Sequence, residues 1–201
     1  MQAMAARYPA VRVHLVEALS GHLTTMLNAR QLDLAILFRA DAGRRWSVTP
    51  LLDEKLYVIG ASDLPGMPAG ARVRLKALRD LPLILPSPSH GLRALTDAAF
   101  ARQRITPRVQ AEVDGLTLLM DAVRAGLGAT IQPGAATARL PDGAVRSVLL
   151  ADALTARRNL LASLSDDELS PAALAARVVL ADVARALVRD GRWAGASLHK
   201  N

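Results

Sequence analysis

The chain of 201 residues contains no cysteine. This absence excludes disulfides, thiolate nucleophiles and cysteine-ligated zinc sites. Aromatic residues make up only 3% of the sequence, so few side chains are available for stacking on nucleic-acid bases. No apolar run approaches the roughly 20 residues that cross a bilayer, and the opening MQAMAARYP lacks the apolar core of a secretory signal. We therefore expect a cytoplasmic protein that makes no membrane contact.

The chain is basic, with a formal net charge of +7 and a pI near 10.9. Such a charge is compatible with phosphate binding, which needs clustered Lys and Arg. The arginines are scattered singly or in pairs such as Arg44-Arg45 and Arg157-Arg158, with no basic stripe. We favour a solvated basic surface over direct contact with DNA. A hydrophobic fraction of 51% with 21% charged residues predicts a globular chain with a substantial core.

The first quarter of the chain alternates predicted strands with one predicted helix. Residues 11–18 have the period-two pattern of a half-covered strand, and Ser20 is the expected N-cap of the following helix. The apolar run 32–38 predicts a strand that is buried on both faces. Residues 48–52 and 55–61 predict an antiparallel pair that is joined tightly at Asp53-Glu54.

A Pro- and Gly-rich stretch, residues 63–71, predicts a crossing between two lobes. The later segments again alternate, which favours an α/β class with parallel sheets and crossover helices. We expect strands at 82–86, 108–114, 129–133, 146–150 and 158–164, and helices at about 90–104 and 116–126. The closing helix should start with Ser170 as N-cap and Pro171 at its first position. Its expected apolar face, opposite Arg177, Arg185 and Arg189, consists of Leu174, Val178, Val183 and Leu187.

Three junctions lead from a predicted strand through small or hydroxyl residues into a helix. They lie at residues 18–22, 85–93 and 113–117. The first backbone N–H groups of a helix have no partner within it, and such strand ends line ligand crevices in open α/β sheets. We expect a small polar or anionic ligand held by N–H groups and by the hydroxyls of Ser20, Ser87, Ser89 and Thr117. The alternative is that these hydroxyls only cap helices, which is their commoner role.

Two histidines and one arginine lie close to these junctions in sequence. His90 is placed at a helix start, where a neutral imidazole can donate to a ligand; a capping or surface role is the equal alternative. His22 belongs to the same junction as Ser20, whereas His14 fits a solvent-facing or inter-lobe position. Arg39 follows the apolar run 32–38 and is a candidate partner for an anionic ligand, with an ordinary loop arginine as the alternative.

No catalytic or metal-binding motif is present in the sequence. The glycines of residues 125–129 follow a helix and precede a strand, so they predict a helix C-cap instead of a dinucleotide-binding loop. The acidic run 166–168 has no second carboxylate cluster to complete a metal site, and we interpret it as a solvated loop. We expect no catalysis, no metal and no cofactor.

Several segments resemble one family in order and spacing. RYPAVRVHLVEALSGHL and LNARQLDLAILF are similar to the start of the effector domain of LysR-type transcriptional regulators. The similarity continues through PLLDEKLYVIGASDLP, DLPLILPSPSHGLR, AEVDGLTLLMDAVRAGLGATIQP and the terminal SPAALAARVVLADVARAL. It covers essentially the whole chain.

The resemblance implies a periplasmic-binding-protein-like fold of two Rossmann-like α/β lobes joined by two crossover strands. Lobe I would comprise residues 1–62 and 158–201, and lobe II residues 63–157. Effector domains of this family begin with a strand ahead of the helix in which this chain opens, so the first strand of lobe I is expected to be missing. Such domains pair as homodimers or higher oligomers. They act on DNA through a winged helix-turn-helix domain that this chain does not contain.

The resemblance also implies which residues bind a small-molecule effector, such as a carboxylate or a sulfonate, in a cleft between the lobes. Phe38 and Pro133 would form apolar walls of the cleft. Arg39, the candidate partner for an anionic ligand, is added to this set of predicted effector contacts. The polar contacts would come from Ser20, Gly21 and His22 in lobe I and from Ser87, Ser89, His90, Gly91, Gly115, Leu116 and Thr117 in lobe II. The expected function is ligand sensing for transcription regulation. The alternative is a solute-binding protein of a transport system, and an enzyme that uses the same cleft ranks third.

Overall fold

The computed structural model describes residues 1–38, 46–152 and 156–199. They divide into two compact units. The first unit contains the described residues within 1–53, 158–193 and 197–199, and the second contains those within 54–157 and 194–196. Residues 54–62 and 194–196, which the resemblance places in lobe I, belong to the second unit.

The helices and strands follow one another in mixed order, as an α/β class requires. The helices are α1 (Gln2–Arg7), α2 (Ser20–Asn28), α3 (Gly91–Arg102), α4 (Leu116–Arg124) and α5 (Pro171–Arg189). The strands are β1 (Leu34–Leu37), β2 (Ser47–Gly60), β3 (Arg72–Val73), β4 (Leu83–Leu85), β5 (Val109–Glu112), β6 (Thr130–Pro133), β7 (Arg146–Leu150), β8 (Ala156–Ser163) and β9 (Ala196–Leu198). Short 3-10 turns lie at Leu75–Leu78 and Gly134–Thr137. The chain passes from the first unit to the second within β2 and returns within β8.

The core of the first unit forms around β1. This strand pairs antiparallel with β8, from Leu34 opposite Ser163 to Leu37 opposite Leu160. Leu27 of α2 packs with Leu37 and with Ala162 of β8. The predicted strand at 32–38 is confirmed in place, but its burial alternates along the strand. It is therefore not buried on both faces, as the continuous apolar run suggested.

Residues 11–18 form neither a helix nor a strand, so the predicted strand there is wrong. Leu15 is 70% exposed. A period-two pattern gives a strand only where a neighbouring strand accepts and donates its backbone hydrogen bonds, and none in the described chain pairs with this segment.

The expected N-cap of α2 is displaced by one residue. Leu19 has extended backbone angles and is the N-cap, and Ser20 is the first residue of α2.

The expected hairpin at Asp53-Glu54 is a single strand of 14 residues, β2. The sequence offers no Asn-Gly or Gly-containing turn at this point, and those are the residues that tight hairpins need. The two acidic side chains instead pair with consecutive arginines of β8. Glu54 accepts from Arg157 at 2.8 Å and Asp53 from Arg158 at 3.1 Å.

The second unit combines a parallel strand pair with helices and an antiparallel group. Strands β4 and β5 pair in parallel, and β2 pairs antiparallel with both β6 and β7. The largest buried cluster includes Leu83, Leu85, Leu92 and Phe100, so it joins β4 to α3. The Pro- and Gly-rich stretch 63–71 starts and ends within this unit. It is therefore not the crossing that its composition suggested.

The ends of α4 and α5 agree with their sequence signals. Gly126 follows α4 with a φ of +74°, which confirms the predicted glycine C-cap. Ser170 accepts a hydrogen bond from the Ala173 N–H at 3.2 Å, and Pro171 is the first residue of α5. The predicted apolar face of α5 is wrong at Val178, which is 56% exposed. The buried positions are Ala173, Val179 and Ala184. At about 100° per residue, Val178 lies between Arg185 and Arg189 around the helix, so it faces away from the buried side.

Candidate functional site

Two helix starts meet at one edge of the second unit. Helix α3 follows β4 and α4 follows β5, and the two strands run parallel. The loops that leave these strands are joined directly, since the Ser87 N–H donates to Asp114 Oδ1 at 2.8 Å and the Val113 N–H to the Leu85 carbonyl at 2.9 Å. The structure therefore brings the junctions at 85–93 and 113–117 together. We call the loop and first-turn residues 86–93 and 113–117 the paired helix starts.

The hydroxyls of the first loop bond to each other. Ser87 Oγ and Ser89 Oγ lie 2.8 Å apart. Ser87 is half-buried and Ser89 is exposed, as is Thr117 in the first turn of α4. Ser170, which caps α5, is thus the only one of the serines discussed so far whose hydroxyl is seen to cap a helix among the described hydrogen bonds.

His90 is the N-cap of α3, and its ring nitrogen Nδ1 accepts the Leu92 N–H at 3.1 Å. Because Nδ1 accepts, the proton of the neutral ring must be on Nε2, which is then a donor. Burial, and next the positive charge of Arg157, lower the pKa of His90, while Asp114 opposes this shift. His90 can therefore fill both roles that the sequence left as alternatives. Nδ1 caps the helix, and Nε2–H can donate to a ligand.

The glycines of the paired helix starts leave open space. A Cβ atom on Gly91 or Gly115 would meet no atom within 4 Å. Leu116, the first residue of α4, is 39% exposed. A molecule that approaches the backbone N–H groups of either helix thus meets no side chain at these two positions.

Three charged residues near this edge were not singled out from the sequence as site residues. Asp114 is exposed, and hydrogen bonds from the backbone and side chain of Ser87 lower its pKa. Arg157 and Glu54 form an ion pair whose side chains are 16% and 1% exposed. Burial lowers the pKa of Arg157, and Glu54 opposes the shift. The expectation of a solvated arginine is therefore wrong for Arg157, whereas Arg158 is 51% exposed.

Arg93 fixes the shape of the first loop. Its side chain is only 12% exposed and donates to the Pro86 carbonyl at 2.9 Å. It also donates to Asp97 at 2.9 Å and to Glu112 at 2.7 Å. The carboxylate of Glu112, at the end of β5, thereby holds the loop that follows β4.

The remaining candidates lie elsewhere. In the first unit, Ser20, Gly21 and His22 form the first turn of α2; Ser20 is half-buried and the other two are exposed. Phe38 follows β1 and is half-buried, and Arg39 lies outside the described residues. In the second unit, the buried Pro133 ends β6 and pairs with Leu56 of β2.

Within the ranges that the structure describes, no helix is long and apolar enough to span a bilayer. The same ranges contain no group of three or more His, Cys, Asp or Glu side chains placed to hold a metal ion.

The profile of the LysR substrate binding domain matches residues 1–185. The chain belongs to this family. It is 33% identical over 148 residues to the nitrogen assimilation regulatory protein nac of Klebsiella aerogenes, a match that covers 74% of this chain and 45% of nac. The chain thus spans about half the length of this relative.

Solved structures of LysR-type effector-binding domains have the same fold. The regulatory domain of Synechocystis PCC6803 CcmR, in complex with 2-PG, matches with a TM-score of 0.81 at 20% identity, over 92% of this chain and 88% of that one. The effector binding domain of QuiR, in complex with shikimate, matches with a TM-score of 0.76 at 22% identity and the same coverage. The periplasmic-binding-protein-like α/β fold is confirmed. None of these relatives supports the alternative of a transport protein.

Proposed function

We propose that the chain is the ligand-sensing part of a LysR-type transcriptional regulator and that its effector binds at the paired helix starts of the second unit. The observation that carries this proposal is the 2.8 Å hydrogen bond from Ser87 to Asp114. It holds two helix N-termini at one edge, each with backbone N–H groups that favour an anionic or accepting group.

The donors at this edge suit a small carboxylate or sulfonate. Ser89 presents an exposed hydroxyl, and His90 is a neutral Nε2–H donor because its Nδ1 is engaged at the helix cap. Asp114 adds a charged acceptor, which suits a ligand that also carries a hydroxyl group. The shikimate bound to QuiR has both a carboxylate and hydroxyls. Thiol oxidation is not available as a signal, since the chain has no cysteine.

We propose that effector binding is transmitted as a shift in the equilibrium between two conformations of the protein. An effector that binds one arrangement of the protein better than another shifts the equilibrium by its difference in affinity. We propose that this shift acts through a homodimer on an attached DNA-binding domain, that the protein works in the cytoplasm, and that it catalyses no reaction. Ser20, Gly21, His22, Phe38, Arg39 and Pro133 stay predicted effector contacts.

Calorimetric titration with shikimate, benzoate and benzenesulfonate tests the effector site. We expect at least one to bind, and Ser89→Ala to weaken that binding about tenfold, the loss that removal of one hydrogen bond to a charged group causes. Ser147→Ala is the matched control, because Ser147 is an exposed serine on β7. Failure of all three probes, or equal losses for the two variants, would contradict the proposal.

A further inference from the structure

One edge of the second unit carries positive charge on its exposed side chains. Within the described chain, β3 lies at the end of its sheet order and leads directly into the 3-10 turn at residues 75–78. Arg72, Arg74, Lys76 and Arg79 are exposed along this stretch. We call these four residues the basic edge.

The fold places the four charges on one side of the stretch. Successive side chains of a strand point to opposite faces, and Val73, between the first two arginines, is buried. A 3-10 turn repeats every three residues, so Lys76 and Arg79 share one side of the turn. Leu75 and Leu78 are buried and, like Val73, belong to the largest apolar cluster of this unit. The basic side chains therefore lie on the side that faces away from that cluster.

The charge of the basic edge is not neutralised by ion pairs. None of its four side chains takes part in an ion pair among the described residues. Two carboxylates are nearby. Asp80 is exposed and follows Arg79 in the chain, and Asp152 Oδ2 accepts the Leu75 N–H at 2.7 Å. With both carboxylates counted, the edge still has an excess of positive charge.

The neighbours of the basic edge favour a phosphate backbone over a protein as its partner. Residues 70–81 contain no aromatic residue, and the uncharged exposed side chains between the cations are those of Ala71 and Ala77. Protein interfaces depend on a few buried aromatic or apolar anchors, whereas backbone contacts to DNA need exposed cations. Without aromatic side chains the edge offers no stacking platform for unpaired bases, which favours duplex over single-stranded DNA.

We propose that the basic edge binds the phosphate backbone of duplex DNA without reading its sequence. Three of its four cations are arginines, whose planar guanidinium groups can donate two hydrogen bonds to one phosphate. This differs from the solvated basic surface that the scattered arginines of the sequence favoured. The role of the edge rests on the proposed function, because an attached DNA-binding domain would hold duplex DNA at a high effective concentration. The binding itself requires neither the effector nor the paired helix starts.

Fluorescence anisotropy of a short labelled duplex of mixed sequence, titrated with the 201-residue chain, tests the proposal. The titration is repeated at salt concentrations from about 50 to about 200 mM, because each phosphate contact contributes about −0.9 to the slope of log affinity against log salt. Four contacts correspond to a slope of about −3.6, which weakens binding about a hundredfold over this range. Labelled poly-L-glutamate replaces the duplex in a parallel titration and represents an acidic protein partner.

Paired substitutions locate the phosphate contacts. Arg72→Gln with Arg74→Gln removes the two charges of the strand, and Lys76→Gln with Arg79→Gln removes the two charges of the turn. Arg72→Lys with Arg74→Lys keeps the charge and should keep the slope. All four positions are exposed, and thermal unfolding of each variant identifies any that does not fold. The other glutamine variant then carries the test.

Arg139→Gln with Arg189→Gln is the matched control. Both arginines are exposed, lie outside the basic edge and take part in no ion pair of the described chain. The control removes the same net charge as each glutamine variant of the edge. It therefore separates a localised binding surface from a general attraction between a basic protein and DNA.

We expect each glutamine variant of the edge to bind the duplex at least about tenfold more weakly at low salt and to reduce the slope by about 1.8. The control should retain both affinity and slope. Absence of duplex binding at about 50 mM salt overturns the proposal, as do equal losses for the control, since binding then follows net charge alone. Binding of poly-L-glutamate as tight as that of the duplex also overturns it, because the edge then suits an acidic protein.

The effector titrations provide a separate readout. The glutamine variants of the basic edge should bind the calorimetric probes as the natural sequence does, because the edge is not part of the paired helix starts. Loss of duplex binding with intact effector binding is therefore the expected result for these variants. Effector binding that fails while the duplex still binds would contradict the proposed function and leave the basic edge supported.

Discussion

The backbone N–H of Ser87 and the carboxylate of Asp114 are joined at 2.8 Å, although 27 residues separate them in the chain. This bond ties the loop after β4 to the loop after β5 and thereby pairs the two helix starts. It also leaves a negative charge, with a lowered pKa, at a site for which we propose an anionic ligand. Asp114 therefore has two opposing effects on such a ligand, because it orders the loops and also repels the charge.

Asp114→Asn separates these two effects. The amide oxygen still accepts from Ser87, whereas the charge is removed, so we expect the affinity for benzoate, a carboxylate without a hydroxyl group, to rise about threefold to tenfold. Two like charges a few ångströms apart repel each other even in water, which is enough to change an affinity several-fold. Calorimetric titration measures the change. Asp121→Asn, which removes an exposed carboxylate that pairs with Arg124 on α4, is the control and should leave the affinity unchanged. Weaker binding to Asp114→Asn would show that the carboxylate contacts the ligand directly.

The neighbouring ion pairs of β2 and β8 should differ strongly in their contribution to stability. Glu54→Gln leaves Arg157 buried without its carboxylate, which we expect to cost about 3 kcal/mol. Asp53→Asn removes a partly exposed carboxylate that pairs with Arg158 and His199, with side-chain exposures of 33% for Asp53 and 51% for Arg158, and should cost less than about 1 kcal/mol. Urea denaturation of both variants measures the difference. Similar losses for the two would mean that burial does not determine the strength of these pairs.

Arg157 and Arg158 show which features of the structure could not be predicted from the sequence. Successive side chains of a strand point to opposite faces, so one of Arg157 and Arg158 is buried and the other is exposed. The sequence has only the dipeptide, and which of the two faces inward depends on the register of β8 against its neighbours. The pair with Glu54 joins residues 103 positions apart. No local pattern contains that information.

Helix ends that are determined by neighbouring residues could be predicted from the sequence. Pro171 and Ser170 at the start of α5 and Gly126 after α4 are signals that act within a few residues, and the structure has both ends where they were expected. The segment 11–18 failed because its pattern needs a partner strand. For the site, small residues at the junctions pointed to Ser87 and His90, but the bond that joins the two junctions depends on the pairing of β4 with β5.

The space around two glycines predicts opposite responses to a methyl group. A Cβ atom on Gly128 would lie 2.9 Å from the Pro82 carbonyl oxygen and 3.1 Å from Ile84 Cγ1. We expect Gly128→Ala to lower the free energy of unfolding by about 1–3 kcal/mol through overpacking. Gly91→Ala meets no atom within 4 Å at the first position of α3, where alanine is the better helix former, so it should be neutral or slightly stabilising. Chemical denaturation of the two variants compares them, and a neutral Gly128→Ala would show that the backbone between α4 and β6 yields easily.

His90 should make the stability of the protein depend on pH in a defined direction. Its pKa in the folded chain is lowered from the ordinary value of 6.5, mainly by burial, so the unfolded chain binds more protons on acidification than the folded one. Folding stability from this residue is therefore complete above about pH 6.5 and decreases as the pH falls below that value. We expect urea denaturation between pH 5 and 8 to show this loss in the natural sequence.

Two substitutions at this position separate its charge from its role at the helix cap. His90→Asn keeps an acceptor for the Leu92 N–H, so it should retain stability at pH 8 and lose the His90 contribution to the pH dependence. His90→Ala removes the acceptor as well and should cost about 1 kcal/mol at pH 8, the usual size of a lost N-cap. If His90→Asn keeps the full pH dependence of the natural sequence, the titrating group is a different one, because the asparagine amide has no proton to gain in this range.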